Sequence, residues 1–546
     1  MGQHQPWRSA AAWAVVLIYA LIVFGLLPFH EPWHDEAHSW LIGRDSSLTS
    51  LLSEQAAYEG TPPLRHLLIM ALAKAGLPYI SLGVLNAAAA IATVAVLAFL
   101  SPFALWQKIA AAFSLYQVFM YGAVWRLYSL AGLLLLLTAW LFHARFRKPL
   151  LYAACVSLLA NTCLQTLGVG LLLLLEFVFT GARAGGRDRA GRRAAGADSA
   201  GSPERAGREG SASRSRQIAA GIVMAVSIAL AIGVVRQPED VNLKGAFPIF
   251  YKPAIMELVS APFVFGLYDE PFNKEPTWRL SVAACGLVAF LLTCWDLRAS
   301  ARALSLVLLT VLGWGYLFTF KNAPNVYHTG LMFYVVLAAF WMADDRTLAP
   351  PRPGRGWAVL RWPIGRAACF AMLGLTVIGT VQTIALEIQE PFSGAKDAAD
   401  YLSRVKEQPV VAEYTLGTAE SLLPYLPGRV LWRVEEEEFR TFGVAREYSK
   451  ILDANVLIGI LRRDVPQPRP WLLLSCELPT PHLYGYDFVY RSPRLAWGLR
   501  KEAFWIYCPT GAEHPPVEIG SFDDAMLFNG RPFLPFDAKA LLRFPG

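Results

Sequence analysis

Charge is scarce in this chain: 17% of its 546 residues are Asp, Glu, Lys or Arg, against 55% that are hydrophobic. Soluble domains carry about 25% charged residues, so an ordinary soluble protein is excluded. Cysteine is scarce too, with seven copies that follow no metal-ligand or disulfide spacing. Cys155, Cys163, Cys285, Cys294 and Cys369 fall in apolar runs and read as small apolar side chains. Cys476 and Cys508 lie in the C-terminal segment and are candidates to pair if that segment is extracytoplasmic. No Gly-rich phosphate loop stands at a strand-to-helix turn there, which argues against nucleotide binding. No convincing internal repeat marks a transporter. The net charge of +7 is not a nucleic-acid footprint either, because the Arg residues crowd into short loops between hydrophobic runs.

Long apolar runs are what the chain does have. About 20 uncharged residues span a hydrocarbon core of about 30 Å. Ala10–Phe29, Tyr79–Leu100, Trp125–Phe142, Ile218–Val235, Leu280–Trp295, Leu304–Phe320, Tyr327–Met342 and Ala367–Leu386 are read as such spans. The first has no small-residue cleavage site and reads as a retained helix. Ile109–Tyr121 adds a short span. Leu150–Thr180 is basic on both flanks and must therefore be a helical hairpin turning near Asn161–Thr166. The segment 181–217 holds nine Arg among Gly, Ala and Ser and reads as a disordered cytoplasmic loop. Placing this and the other basic loops inside gives about eleven spans. It leaves Phe29–Gly60, 236–279 and everything after Glu387 outside. Pro62–Lys74 is too short to cross and reads as an interfacial helix on the outer face. The Ala-, Arg- and Leu-rich usage suggests a bacterial inner (plasma) membrane.

After Glu387 the patterning becomes globular. Pro409–Glu413, Arg429–Val434 and Trp471–Cys476 read as short strands, Thr418–Leu426 as a helix, and Phe488–Tyr490 and Phe504–Cys508 as edge strands. Glu435–Arg463 reads as a helix whose acidic start, Glu435–Glu438, suits the dipole. The expected fold is mainly α: a polytopic helical bundle over residues 1–387, with interfacial helices in its external loop and a small extracytoplasmic α/β domain over 388–546.

Chemistry concentrates in the first external loop, Pro28-Phe-His-Glu-Pro-Trp-His-Asp-Glu-Ala-His38. Acids and imidazoles beside lipid are costly unless solvated or functional. Further on stand Tyr58-Glu-Gly-Thr-Pro-Pro-Leu-Arg-His66 and Trp125-Arg-Leu-Tyr128. Asp-Glu in the first external loop, Gly-x-Pro-Pro-Leu opening an apolar helix, and Arg-x-Tyr starting a later one resemble the GT-C glycosyltransferases. These include the protein O-mannosyltransferases and the aminoarabinose transferases of lipid A. The resemblance covers roughly residues 10–390.

It implies sugar transfer from a polyprenyl-phosphate donor to an extracytoplasmic glycan, lipid or protein, with membrane lipid and no nucleic acid as partners. Asp35 matches the catalytic acid that takes the acceptor hydroxyl's proton, and Glu36 is its neighbour, orienting the site or assisting a metal. Arg126, Arg65 and Lys321 are the cations expected to stabilise the departing lipid phosphate. Tyr58, Glu59, His66, Tyr128, His328 and Asp269 complete the expected substrate-binding set. Two departures stand out. Thr61 occupies a position where many relatives have His or Lys, and Tyr327-His328 replaces a common Arg-Tyr. The second shifts weight to His328 or Lys321 for the phosphate.

His30, His34 and His38 recur every four residues, so on a helix they would share a face and, with Asp35 and Glu36, ligate a divalent cation such as Mg or Mn. Their plainer reading is membrane-interface histidine without a ligand. Asp35 and Glu36 as a solvated helix cap, Asp269 as part of a turn, and Trp33, Trp40, Tyr58, Trp125 and Tyr128 as an interfacial aromatic belt are the corresponding alternatives. A lipid flippase or a non-catalytic assembly protein are the rival functions.

Overall fold

The structure is a computed structural model that describes residues 6–195, 203–236, 238–239, 258–260, 263–264, 276–320, 326–344, 364–406, 408–415, 417–443, 452–465, 469–493 and 502–520. Its first part is helical: α1 (Pro6–Leu26), α2 (His34–Asp45), α3 (Leu64–Lys74), α4 (Ile80–Leu100), α5 (Leu105–Ala112), α6 (Tyr128–Phe142), α7 (Pro149–Ala160), α8 (Leu164–Ala195) and α9 (Pro203–Val234). There follow α10 (Pro276–Leu297), α11 (Ala301–Phe320), α12 (Leu331–Ala343) and α13 (Ile364–Gln389). Among the described residues seven helices are long and apolar enough to cross a membrane, and Tyr128–Phe142, Pro149–Ala160 and Tyr327–Ala343 are shorter apolar helices. Large apolar side chains on their outer faces stay uncovered, Leu21 at 75% and Leu280 at 70% exposure. A water-soluble bundle would bury these faces, whereas lipid solvates them. This is an integral membrane protein.

Two segments differ from the sequence expectation. Ile109–Tyr121 is not one helix: α5 stops at Ala112 and a π-helical stretch, Tyr116–Ala123, follows with every residue buried. The 181–217 segment, expected to be disordered, continues the two flanking helices to Ala195 and from Pro203. Ala and Arg are strong helix formers, and propagation from an existing span escapes the nucleation penalty.

The helix ends alternate as a threaded bundle requires. At one end, the Trp125 ring lies 5.4 Å from His30 after α1 and 5.7 Å from Tyr79 before α4. There too Tyr128 of α6 meets His328 before α12, and the α7–α8 turn accepts the Leu64 N–H through the Asn161 carbonyl. At the opposite end, Arg145 pairs with Glu176 at 2.8 Å and Arg366 with Asp344 at 3.4 Å.

The C-terminal region packs α14 (Ala395–Ser403) and a 3-10 helix, Thr418–Tyr425, on one face of a seven-stranded sheet, and α15 (Ala454–Asp464) on the other. The strands are β1 (Val411–Tyr414), β2 (Leu431–Arg433), β3 (Glu438–Arg440), β4 (Trp471–Leu474), β5 (Tyr486–Arg491), β6 (Trp505–Pro509) and β7 (Glu518–Ile519). Their order is β3-β2-β1-β4-β6-β5-β7, with β1 parallel to both β2 and β4.

The helix expected over Glu435–Arg463 is replaced by the β2–β3 hairpin and, later, α15. Glu436 is not solvated there but buried, 3.0 Å from Arg433 and 3.2 Å from Arg440. Two opposed cations outweigh any dipole benefit of a helix start. Cys476 and Cys508 are both free and buried. They sit on opposite faces of the sheet, one in each core, so no bridge can join them.

Candidate active site

At the end of the bundle that carries α2 and α3, two segments meet. Asp35 lies in the first turn of α2, half-buried, and its Oδ2 is 2.9 Å from Arg126 Nη1. Arg126 lies just before α6, and the next residue, Leu127, holds a left-handed backbone at φ 55. That conformation is strained for a residue with a side chain and persists only when its surroundings impose it.

Asn86, fully buried in the middle of α4, is what imposes it. Its Nδ2 lies 3.1, 2.9 and 3.0 Å from the carbonyls of Tyr121, Gly122 and Val124, and its Oδ1 accepts from the Leu127 N–H at 3.0 Å. The broken helix before Arg126 would otherwise bury these backbone groups without partners.

Arg126 is caged by aromatic rings. Its guanidinium carbon lies 4.3 Å from the ring centre of Tyr327, 5.2 Å from Tyr128 and 5.9 Å from Trp33. Such faces attract the cation and fix its plane. Arg126 Nε is nevertheless buried without a hydrogen-bond partner among the described residues, as are His66 Nδ1 and His328 Nδ1.

Glu36 ties Asp35 to Arg126. It is fully buried. One oxygen accepts from the Trp125 N–H and from His30 Nε2 at 3.0 Å, and the other from the Trp33 N–H at 2.9 Å. The last contact is half of a capping box at the start of α2. His30 in turn reaches Glu387, at the end of α13, at 2.6 Å. Burial disfavours the His30 cation, but the Glu36 and Glu387 carboxylates outweigh it and raise the imidazole to about 10. His30 is thus an imidazolium clamped between two carboxylates. His38 bridges Glu59 and Glu420 in the same way.

Both ring nitrogens of His30 and of His38 are taken by carboxylates, so the i, i+4 histidines do not converge as ligands. Among the described residues no group of three or more His, Cys, Asp or Glu is placed to hold a metal.

Of the other expected site residues, Arg65 and His66 open α3, both buried, with Arg65 Nη2 3.3 Å from His66 Nε2. Burial first, then the Arg65 charge, pushes the His66 imidazole down to about 3, so it is neutral. His328 lies edge-on to Tyr128 at 5.9 Å. Arg65 acts electrostatically on both Tyr128 and His328, which places it in the same cluster. Glu59 sits on His38, and Tyr58 is half-buried next to it in the chain. Lys321 and Asp269 lie outside the described residues.

No protein-family model matches the chain, and no curated protein does. A crystal structure of ArnT from Cupriavidus metallidurans in the apo state superposes with a TM-score of 0.51 at 13% identity, covering 91% of this chain and 98% of that one. The fold is that of ArnT. A second crystal structure of the same protein, bound to undecaprenyl phosphate, gives a TM-score of 0.48 at 14% identity, covering 92% of this chain and 98% of that one. ArnT, a lipid A aminoarabinose transferase, has the GT-C fold, in line with the three-motif resemblance in the sequence. The likeness to ArnT is one of fold. On that ArnT-like frame, four buried polar residues complete the site's framework without having been singled out in the sequence: Asn86, Glu387, Glu420 and Glu502. Asn86 carried a readable signal, a polar side chain inside an apolar run, and Glu387 stands just past the end of one. Glu420 and Glu502 carried none.

Proposed function

We propose that this protein is a GT-C-type glycosyltransferase that moves a sugar from a polyprenyl-phosphate-linked donor to the hydroxyl of an acceptor at the outer face of a bacterial inner membrane. The observation that carries the reading is the Asp35–Arg126 pair, a carboxylate and a caged guanidinium 2.9 Å apart at the bundle end. In the reaction the acceptor oxygen bonds to the anomeric carbon as the carbon–oxygen bond to phosphate breaks. The bond electrons leave with the lipid phosphate, and the acceptor proton passes to Asp35. Arg126, with Arg65 behind it, stabilises the departing phosphate. The unpartnered Arg126 Nε, His66 Nδ1 and His328 Nδ1 favour a polar ligand there, since buried polar groups ordinarily find partners. Glu36 acts as a positioning residue, because its oxygens are occupied by backbone and His30. The basic ends of the spans support the orientation.

The test is sugar transfer in membranes holding equal amounts of wild type or Asp35→Asn, given radiolabelled polyprenyl-phosphate sugars and an envelope extract. A fall of on the order of a hundredfold or more is expected for loss of a general base. Undiminished transfer by the variant removes Asp35 from the chemistry.

A further inference from the structure

Helix α2 carries Asp35 on one side and is held on another by the C-terminal region. The His34 N–H donates to Glu502 Oε1 at 2.8 Å, and Ser393 Oγ donates to the other oxygen at 2.8 Å. One turn later His38 Nδ1 lies 2.5 Å from Glu420 Oε2, and its Nε2 lies 2.7 Å from Glu59 Oε1. Leu41 follows, fully buried in one cluster with Ala395, Ala398, Ala419 and Leu422. Residues 34, 38 and 41 share a helix face, and all three attach to the same region. Gly417, at φ 92, leaves room for the His34 ring, which an added Cβ would approach to 3.3 Å. These contacts fall where the chain leaves the carboxyl end of β1, an edge at which open α/β sheets receive ligands. Here it receives a helix.

We infer that the carboxyl edge of the C-terminal sheet is a docking seat for α2, and that His38 and Glu502 are positioning residues that set Asp35 for sugar transfer. The inference rests on the proposed role of Asp35. Charge complementarity supports it. Glu413, Glu420 and Glu436 are buried around the guanidinium of Arg433 at 3.4, 2.8 and 3.0 Å, and Arg440 reaches Glu436 at 3.2 Å, so this edge sets three buried acids against two bases. His38 brings the further cation. Burial works against its charge, yet Glu420 and Glu59 outweigh burial and hold the imidazole well above its ordinary range. Facing His38 are Glu420 backed by Arg433, Glu59 backed by Arg65 and His66, and the rings of His34 and Phe442.

Two readouts on the full-length protein in lipid nanodiscs test this. The first needs no activity: amide hydrogen exchange in α2 should rise about tenfold or more in His38→Gln, with α4 and α6 unchanged. The second is transfer between about pH 6 and 9. In His38→Gln and Glu502→Gln, kcat should fall about tenfold while donor KM stays within about twofold. Glu420→Gln leaves His38 one carboxylate, so the imidazole drops toward its ordinary value of about 6.5 and loses its proton as pH rises. That variant should lose transfer with rising pH over a range where wild type does not, a dependence that mere loosening of the fold would not produce. Unchanged α2 exchange in both His38→Gln and Glu502→Gln overturns the seat. Faster α2 exchange with undiminished kcat overturns the positioning role. If exchange rises throughout His38→Gln, Glu502→Gln decides, since it leaves the His38 contacts with Glu420 and Glu59 intact. Faster α2 exchange in the variants of a wild type that transfers no sugar would uphold the seat and sink the role given to Asp35 instead.

Discussion

The helix bundle and the C-terminal region handle buried charge differently. In the bundle, the buried charges at the ends of the spans meet opposite charge at short range: Asp35 with Arg126, His30 between Glu36 and Glu387, Arg145 with Glu176. In the C-terminal region one guanidinium, Arg433, serves three buried carboxylates. Acids in excess there are pushed toward neutrality, and burial first, then Glu413, raises Glu435 to about 7. An ion without a partner cannot be tolerated beside hydrocarbon, so the bundle balances its charges locally. The C-terminal region faces water as well and can leave part of its balance to a neighbouring helix.

The strongest way to break the comparison is at the matched pair. Arg126→Ala should cut transfer on the order of a hundred- to a thousandfold, the usual loss when a group aimed at developing charge is removed. Arg126→Lys should recover little of it, because an ammonium cannot lie flat among the rings of Tyr327, Tyr128 and Trp33. Near-normal transfer by the lysine variant would show that charge alone is required.

Next is the His30 clamp. His30→Gln leaves the Glu36 and Glu387 carboxylates buried without their cation and should cost about 3–5 kcal/mol in detergent unfolding. The pH dependence has a definite sign. A histidine raised on folding contributes stability that is fully present below about pH 6.5. That contribution declines above this and is lost as pH rises through about 10. Wild type should therefore lose thermal stability on the alkaline side, and His30→Gln should be flatter across that window. Parallel curves would mean His30 is neutral in the folded protein.

Asn86→Ala strips the donor from three carbonyls around the Arg126 segment. It should lower transfer about tenfold or more while leaving the other helices in place, because a buried acceptor left unsatisfied costs about 1–3 kcal/mol and the local backbone will shift. Transfer at the wild-type level would mean the left-handed Leu127 holds without it.

The smallest effect belongs to the cysteines. Cys508→Ser should change stability by no more than about 1–2 kcal/mol, and added reductant should leave the wild-type melting temperature unmoved. A reductant-sensitive melt would reveal a bridge and contradict the two-core sheet.

Much of the bundle was legible. Runs such as Ile80–Leu100 declare themselves because no other environment accepts about 20 uncharged residues, and the hairpin turn near Asn161 followed from basic flanks. The broken helix at 113–116 was not, since its residues are as apolar as an unbroken span would need. Strands β1, β2 and β4 were readable as short apolar runs. The β2–β3 hairpin was not, because Glu435–Glu438 looks like a helix start until Arg433 and Arg440 are known to lie beside it. At the candidate site, order and position singled out Asp35, Arg126, Arg65 and His66, and the structure pairs the first two. Glu36 was picked for the right place, but its burial shows only in three dimensions.

The sequence by itself determined that this chain lives in a membrane and where most of its apolar runs lie, and it singled out the acids, imidazoles and arginines of the candidate site. Those properties depend on composition and on separations of a few residues, which the chain carries wherever it folds. Only the tertiary structure decided which carboxylate meets the guanidinium, which is sealed against a histidine, and that the C-terminal sheet grips the helix bearing Asp35. The Asp35–Arg126 and His34–Glu502 pairings join residues 91 and 468 positions apart, and their energies fall off within a few ångströms. No local pattern can encode a contact whose two halves are that far apart in the chain.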